Sequence, residues 1–309
     1  MVYTVTLNPA LDYILRLPYV GSEDINRAET AQILYGGKGI NVSLVLSRLG
    51  VDNVALGFAA GFTGNELERL LHEDGYKTDF VHTKEGITRI NVKIFAQEQF
   101  DVNAPGPNVT EEDVEALYEK LDKLTEGDVL ILSGAIPPNV PSNTYEEILK
   151  RLEGRGIRFV VDAEGEILLK ALAYKPFLIK PNHHEISAIF NDDVKKTDDE
   201  KIVKYAKELQ KMGAVNVLVS RGGAGATLVD ENGDVFTLGV YPGGPCVNNV
   251  GCGDSMVGGF VAGYERKQDY DYAFRLGSSA GNATAYCDGI AQGEAIEEIY
   301  NNYFSEQSM

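Results

Sequence analysis

The chain has 309 residues, of which 44% are hydrophobic and 24% charged, and its formal net charge at pH 7 is −18. This length allows one large α/β domain or two smaller ones, and the composition is ordinary for a globular protein. So acidic a surface disfavours nucleic acid or an anionic membrane as the main partner. A phosphate ligand stays possible if lysines and arginines cluster in a cleft.

The cysteines and the first residues predict a cellular location. The three cysteines are Cys246, Cys252 and Cys287, an odd number at spacings that match no zinc motif. Reduced thiols in a reducing compartment are the simplest interpretation, so we expect a cytoplasmic protein, with Cys246 and Cys287 in the core. Residues 1–4 do not begin a signal peptide, and no apolar run reaches the ~20 residues of a membrane helix.

Strand-like and helix-like segments alternate along most of the chain. Predicted strands cover residues 2–7, 54–58, 129–132, 159–161, 177–179 and 217–219, and predicted helices cover residues 39–49, 64–71, 142–152, 166–173 and 198–211. We expect Ser142 to cap the third of these helices. Continuous apolar strands between helices are typical of a parallel sheet that is covered on both faces.

Two stretches, residues 11–35 and 88–102, look like strands without helices between them. Ile90, Val92 and Ile94 alternate with polar residues, as in a strand with one buried face. We expect a small antiparallel sheet at one end of the main sheet, which is either a pair of edge hairpins or a lid over a ligand cleft. Since no repeat or linker interrupts the chain, we predict a single domain over residues 1–309.

The motif with the clearest chemistry is Gly251-Cys252-Gly253-Asp254, which precedes a predicted helix of small residues over 256–264. Two glycines allow a tight turn whose amide groups point at one spot, and the helix start adds partial positive charge. Such a turn can bind a phosphoryl group in transfer, while Asp254 accepts a proton from an attacking hydroxyl. By itself, however, the motif more often marks a plain glycine turn with an aspartate cap.

Rival phosphate-binding motifs are absent or incomplete. No GxxxxGK[ST] sequence occurs, so the chain is not a P-loop enzyme. The glycine-rich residues 222–226 follow a strand, but a second strand comes after them where the dinucleotide fingerprint requires a helix. An NAD-dependent oxidoreductase is therefore disfavoured.

A series of motifs in fixed order covers nearly the whole chain. These are TLNPALD at 6–12, GGKGINV at 36–42, TRINVK at 88–93, NAPGP at 103–107, SGAIP at 133–137, KPNHHE at 180–185, SRGGAGA at 220–226 and GCGD at 251–254. They resemble the motifs of the PfkB (ribokinase-like) carbohydrate kinases, in the branch of the 1-phosphofructokinases and tagatose-6-phosphate kinases. The resemblance implies a three-layer α/β/α domain with a mostly parallel central sheet and a small β-sheet lid.

The resemblance also implies roles for individual residues. Asp12, Arg27, Gly37, Lys38, Asn41 and Arg89 would bind the sugar phosphate; Lys180, Asn182, Glu185, Ser220, Gly222, Gly223 and Gly225 would bind ATP; and Gly251, Cys252, Gly253 and Asp254 would carry out the chemistry. Asn282 is also predicted to bind ATP, because it lies on a late helix whose small side chains would let an adenine ring approach. Arg27 and Arg89 fall where the family holds the phosphate that the substrate already carries. Glu185 falls where the family holds Mg²⁺ through water. A carboxylate beside an amide oxygen suits a mostly hydrated Mg²⁺. Relatives further imply a homodimer through the lid sheet.

Three positions depart from the family pattern, and they bear on substrate preference more than on the reaction. Asp101 stands where glutamate is more usual, Cys252 replaces alanine or serine, and Glu164 replaces a small hydroxyl residue. We therefore expect an ATP- and Mg²⁺-dependent kinase that converts a ketohexose monophosphate, either fructose 1-phosphate or tagatose 6-phosphate, to the bisphosphate.

Two alternatives stay open. A kinase of an unphosphorylated sugar or a nucleoside would share the fold, but Arg89 and the GGKGIN turn oppose it. A non-catalytic sugar-phosphate sensor is a candidate from another class, which Asp254 and the Asn182–Glu185 pair oppose.

Overall fold

The computed structural model of the protein describes residues 1–22, 25–247 and 249–305. Residues 23–24 of the predicted lid segment 11–35, and residues 306–309 of the predicted domain, lie outside the described residues.

The strands of the described residues are β1 (Val2–Thr6), β2 (Ala10–Arg16), β3 (Thr30–Gly36), β4 (Asn53–Ala60), β5 (Val81–Thr83), β6 (Arg89–Phe95), β7 (Gln99–Val102), β8 (Val129–Ser133), β9 (Arg158–Asp162), β10 (Leu178–Ile179), β11 (Asn216–Ser220), β12 (Ala226–Val229) and β13 (Val235–Leu238). The α-helices are α1 (Lys38–Arg48), α2 (Gly61–Glu73), α3 (Glu111–Leu121), α4 (Thr144–Leu152), α5 (Gly165–Ala171), α6 (His183–Phe190), α7 (Asp199–Lys211), α8 (Cys252–Lys267), α9 (Tyr270–Ala285) and α10 (Gly293–Ile299).

The larger sheet has nine strands within the described residues, in the order β13-β12-β11-β10-β9-β8-β1-β4-β5. Every neighbouring pair from β11 to β5 is parallel. β12 and β13 are antiparallel and form one edge. The predicted, mostly parallel sheet is therefore confirmed.

Alternate side chains of the central strands enter separate cores on the two faces of this sheet. In β8, Leu130 and Leu132 are buried on the face that α3 to α7 cover. Val129 and Ile131 are buried on the other face, against α1, α8, α9 and α10. Successive side chains of a strand point to opposite faces, so a continuous apolar strand needs a helical layer on each side. The predicted three-layer architecture is confirmed.

Glycines bring α8 and α9 into close contact. A Cβ atom on Gly259 of α8 would lie 2.8 Å from the Leu276 carbonyl oxygen, and one on Gly277 of α9 would lie 2.7 Å from the Met256 carbonyl oxygen. Any larger residue would push the helices apart. This contact fixes the first turn of α8, which carries Asp254.

The smaller sheet has four strands in the part of the chain that the structure describes, in the order β3-β2-β6-β7. The outer pairs are antiparallel, but the central pair β2–β6 is parallel. The prediction of an antiparallel sheet is thus wrong at its centre. The chain passes through α1, β4, α2 and β5 before β6, and it re-enters the small sheet in the direction of β2.

Two local predictions are also wrong. Helix α4 begins at Thr144, after Asn143, and Thr144 Oγ1 donates a hydrogen bond to the Pro141 carbonyl oxygen at 2.7 Å, so Ser142 is not the cap. The prediction that Cys246 and Cys287 lie in the core is wrong as well: Cys246 is exposed in the segment between β13 and α8, and Cys287 is only partly buried.

Among the described residues, no helix combines the length and apolarity needed to cross a membrane.

Candidate functional site

The site lies at the carboxyl ends of the parallel strands. Asp162 ends β9, Lys180 follows β10 directly, and Ser220 ends β11. Ligands of open α/β sheets bind at this edge because the ends of all parallel strands meet there. Two cavities open at this edge, one of about 490 Å³ and one of about 370 Å³. We call them the glycine-loop cavity and the Lys38 cavity.

The glycine-loop cavity brings together most of the residues that the sequence predicts for nucleotide binding. It is lined by Asn182, Ser220, Gly222, Gly223, Gly225 and Asn282, and by Cys252 and Gly253 of the turn before α8. Gly225 has φ +88°, and a Cβ there would lie 1.9 Å from the Leu238 carbonyl oxygen. A Cβ on Gly222 would meet no described atom within 4 Å. The loop therefore presents bare backbone to the cavity.

Asn282 closes one wall of this cavity. Its Nδ2 donates to the Ser278 carbonyl oxygen, and its Oδ1 accepts from the Tyr241 amide, both at 2.8 Å. The side chain thus ties the segment after β13 to helix α9. Its contribution is to hold the wall in place, since both polar atoms already have protein partners.

Asn182 and Glu185 form a reciprocal cap at the start of α6. Asn182 Oδ1 accepts from the Glu185 amide at 2.9 Å, and Glu185 Oε2 accepts from the Asn182 amide at 2.9 Å. Asn182 Nδ2 also donates to Glu185 Oε1 at 2.8 Å. Burial raises the pKa of Glu185, while the Asn182 amide and Lys180 partly offset this effect. The result is a carboxylate held rigidly at the start of α6, next to Asn182, which lines the glycine-loop cavity.

The Lys38 cavity contains three of the predicted sugar residues, Gly37, Lys38 and Arg89. Gly37 has φ +130°, and a Cβ there would lie 2.7 Å from Thr6 Cγ2, so the turn into α1 requires glycine. Arg89 Nε donates to the Asn8 carbonyl oxygen at 3.2 Å. Burial lowers the pKa of Arg89, and the charge of Asp12 partly offsets this.

Asp12 lies beside this cavity, on the small sheet. Asn91 Nδ2 donates to Asp12 Oδ1 at 3.0 Å, and Lys93 Nζ lies 3.0 Å from Asp12 Oδ2. Asn91 and Lys93 were missed by sequence reasoning. The signal in the sequence was the alternation of these two residues with apolar residues along β6. This alternation puts both side chains on the face of the small sheet that carries Asp12.

Asp254 is buried in the first turn of α8, behind Gly251, whose φ is +80°. Asn41 Nδ2 donates to Asp254 Oδ2 at 2.8 Å. Burial and then the negative charge of Asp162 raise the pKa of Asp254 to about 6, against the opposing effect of the Asn41 hydrogen bond. A carboxylate with such a pKa is ionised at neutral pH and is a stronger base than an exposed one.

A second carboxylate, Asp162, and two lysines complete the surroundings of Asp254. Lys180 Nζ lies 3.3 Å from Asp162 Oδ1, and Lys38 Nζ lies 3.8 Å from Asp162 Oδ2. Burial lowers the pKa of Lys38, but Asp162, Asp254 and two nearby glutamates outweigh it and the net pKa is raised. A Cβ on Gly253 would lie 2.9 Å from Lys180 Nζ, so this ammonium lies against the glycine turn. Sequence reasoning missed Asp162, whose signal was a carboxylate at the end of an apolar strand.

Comparison with known proteins decides the family. A family model described as pfkB family carbohydrate kinase matches residues 5–295. The chain belongs to the PfkB family of carbohydrate kinases. It is 42% identical over 299 residues to a 1-phosphofructokinase of Bacillus subtilis, covering 97% of each protein. It is 34% identical over 298 residues to a D-tagatose-1-phosphate kinase of Bacillus licheniformis, covering 96% of this chain and 97% of that protein.

The fold comparison agrees with this assignment. The structure of phosphofructokinase-2 from Escherichia coli in complex with fructose-6-phosphate matches with a TM-score of 0.90 at 30% identity, covering 98% of this chain and 99% of that chain. The predicted family, fold and kinase class are confirmed. Membership of a kinase family also implies that ATP is the phosphoryl donor.

Arg27 and Cys252, two predicted site residues of this PfkB kinase, differ in exposure. Arg27 is exposed in the segment between β2 and β3, and it is not among the residues that line either cavity. Cys252 lines the glycine-loop cavity, and burial raises the pKa of its thiol to about 12. The thiol is therefore protonated at neutral pH, as expected for a small residue that contributes its amide and is not a nucleophile.

The raised pKa of Asp254 predicts a pH-dependent stability effect. The folded-state pKa of about 6 exceeds the ordinary aspartate value of 3.8, so folding favours the protonated carboxyl. Stability from this group is therefore present at low pH and is lost as the pH rises through about 6. Asp254→Asn removes the buried charge, and we expect it to raise the melting temperature more at about pH 8 than at about pH 5.

Thermal unfolding of both proteins at the two pH values measures this effect. Asp193→Asn removes a charge from the exposed surface and serves as the matched control. A melting-temperature difference that is the same at both pH values would contradict the prediction.

Proposed function

We propose that this chain transfers the γ-phosphoryl group of ATP to a free hydroxyl of a ketohexose monophosphate, which yields the bisphosphate. One observation carries the proposal. Asp254 lies in the turn whose Gly253 lines the glycine-loop cavity, and its carboxylate interacts electrostatically with Lys38, which lines the other cavity. A buried carboxylate between a cavity for the donor and a cavity for the acceptor has the position required of a general base.

On the donor side, ATP would occupy the glycine-loop cavity with its phosphates towards Gly253. The amides of residues 251–254 and the positive end of α8 would stabilise negative charge on the group in transfer. Lys180, whose ammonium lies against Gly253, would add a full positive charge at the same place. These groups are fixed before ATP binds, so little reorganisation is required during the reaction.

On the acceptor side, the sugar would occupy the Lys38 cavity, with its existing phosphate near Arg89. Asp254 would accept the proton of the free hydroxyl while the hydroxyl oxygen attacks the γ-phosphorus. The bond between this phosphorus and the bridging oxygen would break, and ADP would leave with the bonding electrons. Arg89 and Lys38 favour an anionic sugar, which opposes the alternative of an unphosphorylated sugar or nucleoside.

Mg²⁺ fits this site as a mostly hydrated ion. No group of three or more histidine, cysteine or acidic side chains could hold a metal within the described residues. Asp162 Oδ2 is buried without a hydrogen-bond partner among those residues, and Glu185 is close enough to interact with Asp162 electrostatically. These two carboxylates would hold the water shell of Mg²⁺, and the ion would neutralise charge on the triphosphate.

The names of the relatives support fructose 1-phosphate as the preferred acceptor. One relative is named 1-phosphofructokinase, and the other D-tagatose-1-phosphate kinase. Tagatose phosphates, including the predicted tagatose 6-phosphate, are therefore the second candidates. A non-catalytic sensor would not need a buried carboxylate between two cavities.

We further propose that the chain is a single domain whose smaller sheet serves as a lid. Leu11 and Ile90, at the base of that sheet, pack in one cluster with Ile40 of α1 and Leu67 of α2, so the sheet is continuous with the core. Closure over the Lys38 cavity would exclude water and suppress ATP hydrolysis.

The odd number of cysteines supports a reducing compartment such as the cytoplasm.

The outer face of the smaller sheet supports the predicted homodimer. The register aligns Ile33, Tyr13, Val92 and Val102 in one row across the four strands, on the face opposite Asp12. Ile33 is 50% exposed and Val102 59% exposed. Tyr13 and Val92, between them, are partly exposed. A contiguous apolar row that reaches the solvent is typical of a surface that a partner covers. A second copy of this chain is the occupant that we propose.

Steady-state kinetics with Asp254→Asn tests the reaction. We expect the unchanged chain to turn over fructose 1-phosphate faster than fructose 6-phosphate or tagatose 6-phosphate. Because the variant lacks the base, its kcat should fall by roughly 10²–10⁴-fold while its affinity for ATP is retained. Near-normal turnover in the variant would reject Asp254 as the base, and the absence of turnover with every sugar in the unchanged chain would reject the proposed function.

Arg89→Ala tests the phosphate clamp. We expect the KM for the phosphosugar to rise by about tenfold or more and the KM for ATP to change little, since Arg89 lines the Lys38 cavity and is not among the lining residues of the glycine-loop cavity. Arg69→Ala, on the exposed surface of α2, is the matched control. An equal rise of both KM values would show that Arg89 is not a specific phosphate ligand.

Val102→Asp tests the homodimer. A charge in the apolar row should prevent association, so sedimentation at micromolar concentration should give a dimer for the unchanged chain and a monomer for the variant. Val235→Asp places the same charge on an exposed valine of β13, in the other sheet, and should leave the dimer intact. A monomeric unchanged chain, or a dimeric Val102→Asp variant, would contradict the proposal.

A further inference from the structure

Three residues of β6 face Asp12 from the neighbouring strand. Arg89, Asn91 and Lys93 alternate along β6, so they lie on one face of the small sheet, and the register pairs Asn91 with Asp12. The Asn91 amide donates to Asp12 Oδ1, and the Lys93 ammonium lies 3.0 Å from Asp12 Oδ2. Both oxygens of the Asp12 carboxylate therefore have a partner on β6.

The Asp12–Lys93 ion pair is largely shielded from water. The Asp12 side chain is 15% exposed and that of Lys93 is 14% exposed. Among the described residues, Lys93 has no other ion-pair partner. A shielded pair of this kind is costly to break, because loss of one charge leaves the other buried and uncompensated. Such an interaction holds its members in one geometry.

The pair lies directly beside the Lys38 cavity. A Cβ on Gly36 would lie 2.8 Å from Asp12 Oδ2, so the backbone at Gly36 packs on the carboxylate. The next two residues, Gly37 and Lys38, line the cavity. A shift of the Asp12 carboxylate would therefore displace the backbone that leads into the cavity proposed for the acceptor sugar.

We infer that Lys93 is a positioning residue for the acceptor sugar, which holds the Asp12 carboxylate in the orientation that accepts hydrogen bonds from sugar hydroxyls. This inference rests on the proposed function. An ionised carboxylate has about four acceptor sites, so Asp12 keeps free sites after it has bonded to Asn91 and Lys93. Lys93 acts through Asp12, whereas the proton transfer belongs to Asp254.

Lys93 also favours a phosphorylated acceptor over an unphosphorylated one. Asp12 carries a negative charge near Arg89, the proposed phosphate ligand. Lys93 neutralises that charge, so the field at the substrate phosphate is governed by Arg89 and Lys38. Without Lys93, the uncompensated carboxylate would repel the phosphate and attract the Arg89 guanidinium.

Kinetics of the full chain with Lys93→Met tests the inference. The KM for fructose 1-phosphate should rise by about tenfold or more, and the KM for ATP should stay within about threefold. The preference for fructose 1-phosphate over fructose should fall, whereas Lys93→Arg should retain most of it because the charge is kept. Lys77→Met, which removes an exposed lysine paired with Asp52, is the matched control.

A double-substitution cycle separates positioning from a direct contact. If Lys93 acts through Asp12, then Lys93→Met should add little to the KM for the sugar in a chain that already carries Asp12→Asn. Effects that multiply in the double variant would overturn the inference, as would an unchanged KM for the sugar or equal rises for sugar and ATP. A lower melting temperature without a selective change in the KM for the sugar would indicate a merely structural ion pair and would also overturn it.

Measurements on two different proteins distinguish a failure of the proposed function from a failure of the role of Lys93. If the unchanged chain phosphorylates no ketohexose phosphate, the proposed function fails and the role of Lys93 fails with it. If the unchanged chain is active and Lys93→Met binds the phosphosugar equally well, only the role of Lys93 fails.

Discussion

A buried carboxylate at the start of a helix, compensated by neighbouring cations, is the interaction on which the rest of this site depends. Asp254 is shielded from water and lies near a second buried carboxylate, Asp162, and this would be unfavourable without Lys38, Lys180 and the Asn41 amide. The glycine contacts between α8 and α9 hold the first helical turn in place. Burial and the charge of Asp162 raise the pKa of Asp254, while Asn41 and the two lysines limit that rise. The packing of the core and the proposed chemistry therefore have one physical origin.

The two sheets divide the remaining tasks between them. The carboxyl ends of the parallel strands supply the glycine-loop cavity, whose bare backbone and helix starts suit a chain of phosphates. The smaller sheet has a polar face, with Asp12 and Lys93, and an apolar face, with Ile33 and Val102. Because side chains alternate along a strand, one short sheet can contact a substrate on one side and a second subunit on the other. In the proposed enzyme, substrate recognition and dimer formation would thus be connected by four strands.

Much of the fold followed from local patterns, and the failures have a common cause. Apolar strands between helices predicted the parallel sheet, since each such strand must be buried on both faces. The parallel pairing of β2 with β6 was missed because period-two alternation identifies a strand but not the direction of its neighbour. Asp162 and Lys93 were missed for a related reason: their partners lie far away in the sequence, so the charge that makes each of them significant is visible only after folding.

The order of amino acids alone was enough to establish the family and the kinase class. It also singled out the glycine turn with Asp254 as the proposed catalytic turn, because its glycines and its carboxylate are neighbours in the chain. Folding was needed to assemble the charge network, to set the pKa of Asp254 and to give the small sheet its two different faces. These properties depend on distances between residues from separate strands and on the removal of water from the site. A local stretch of sequence determines neither of these.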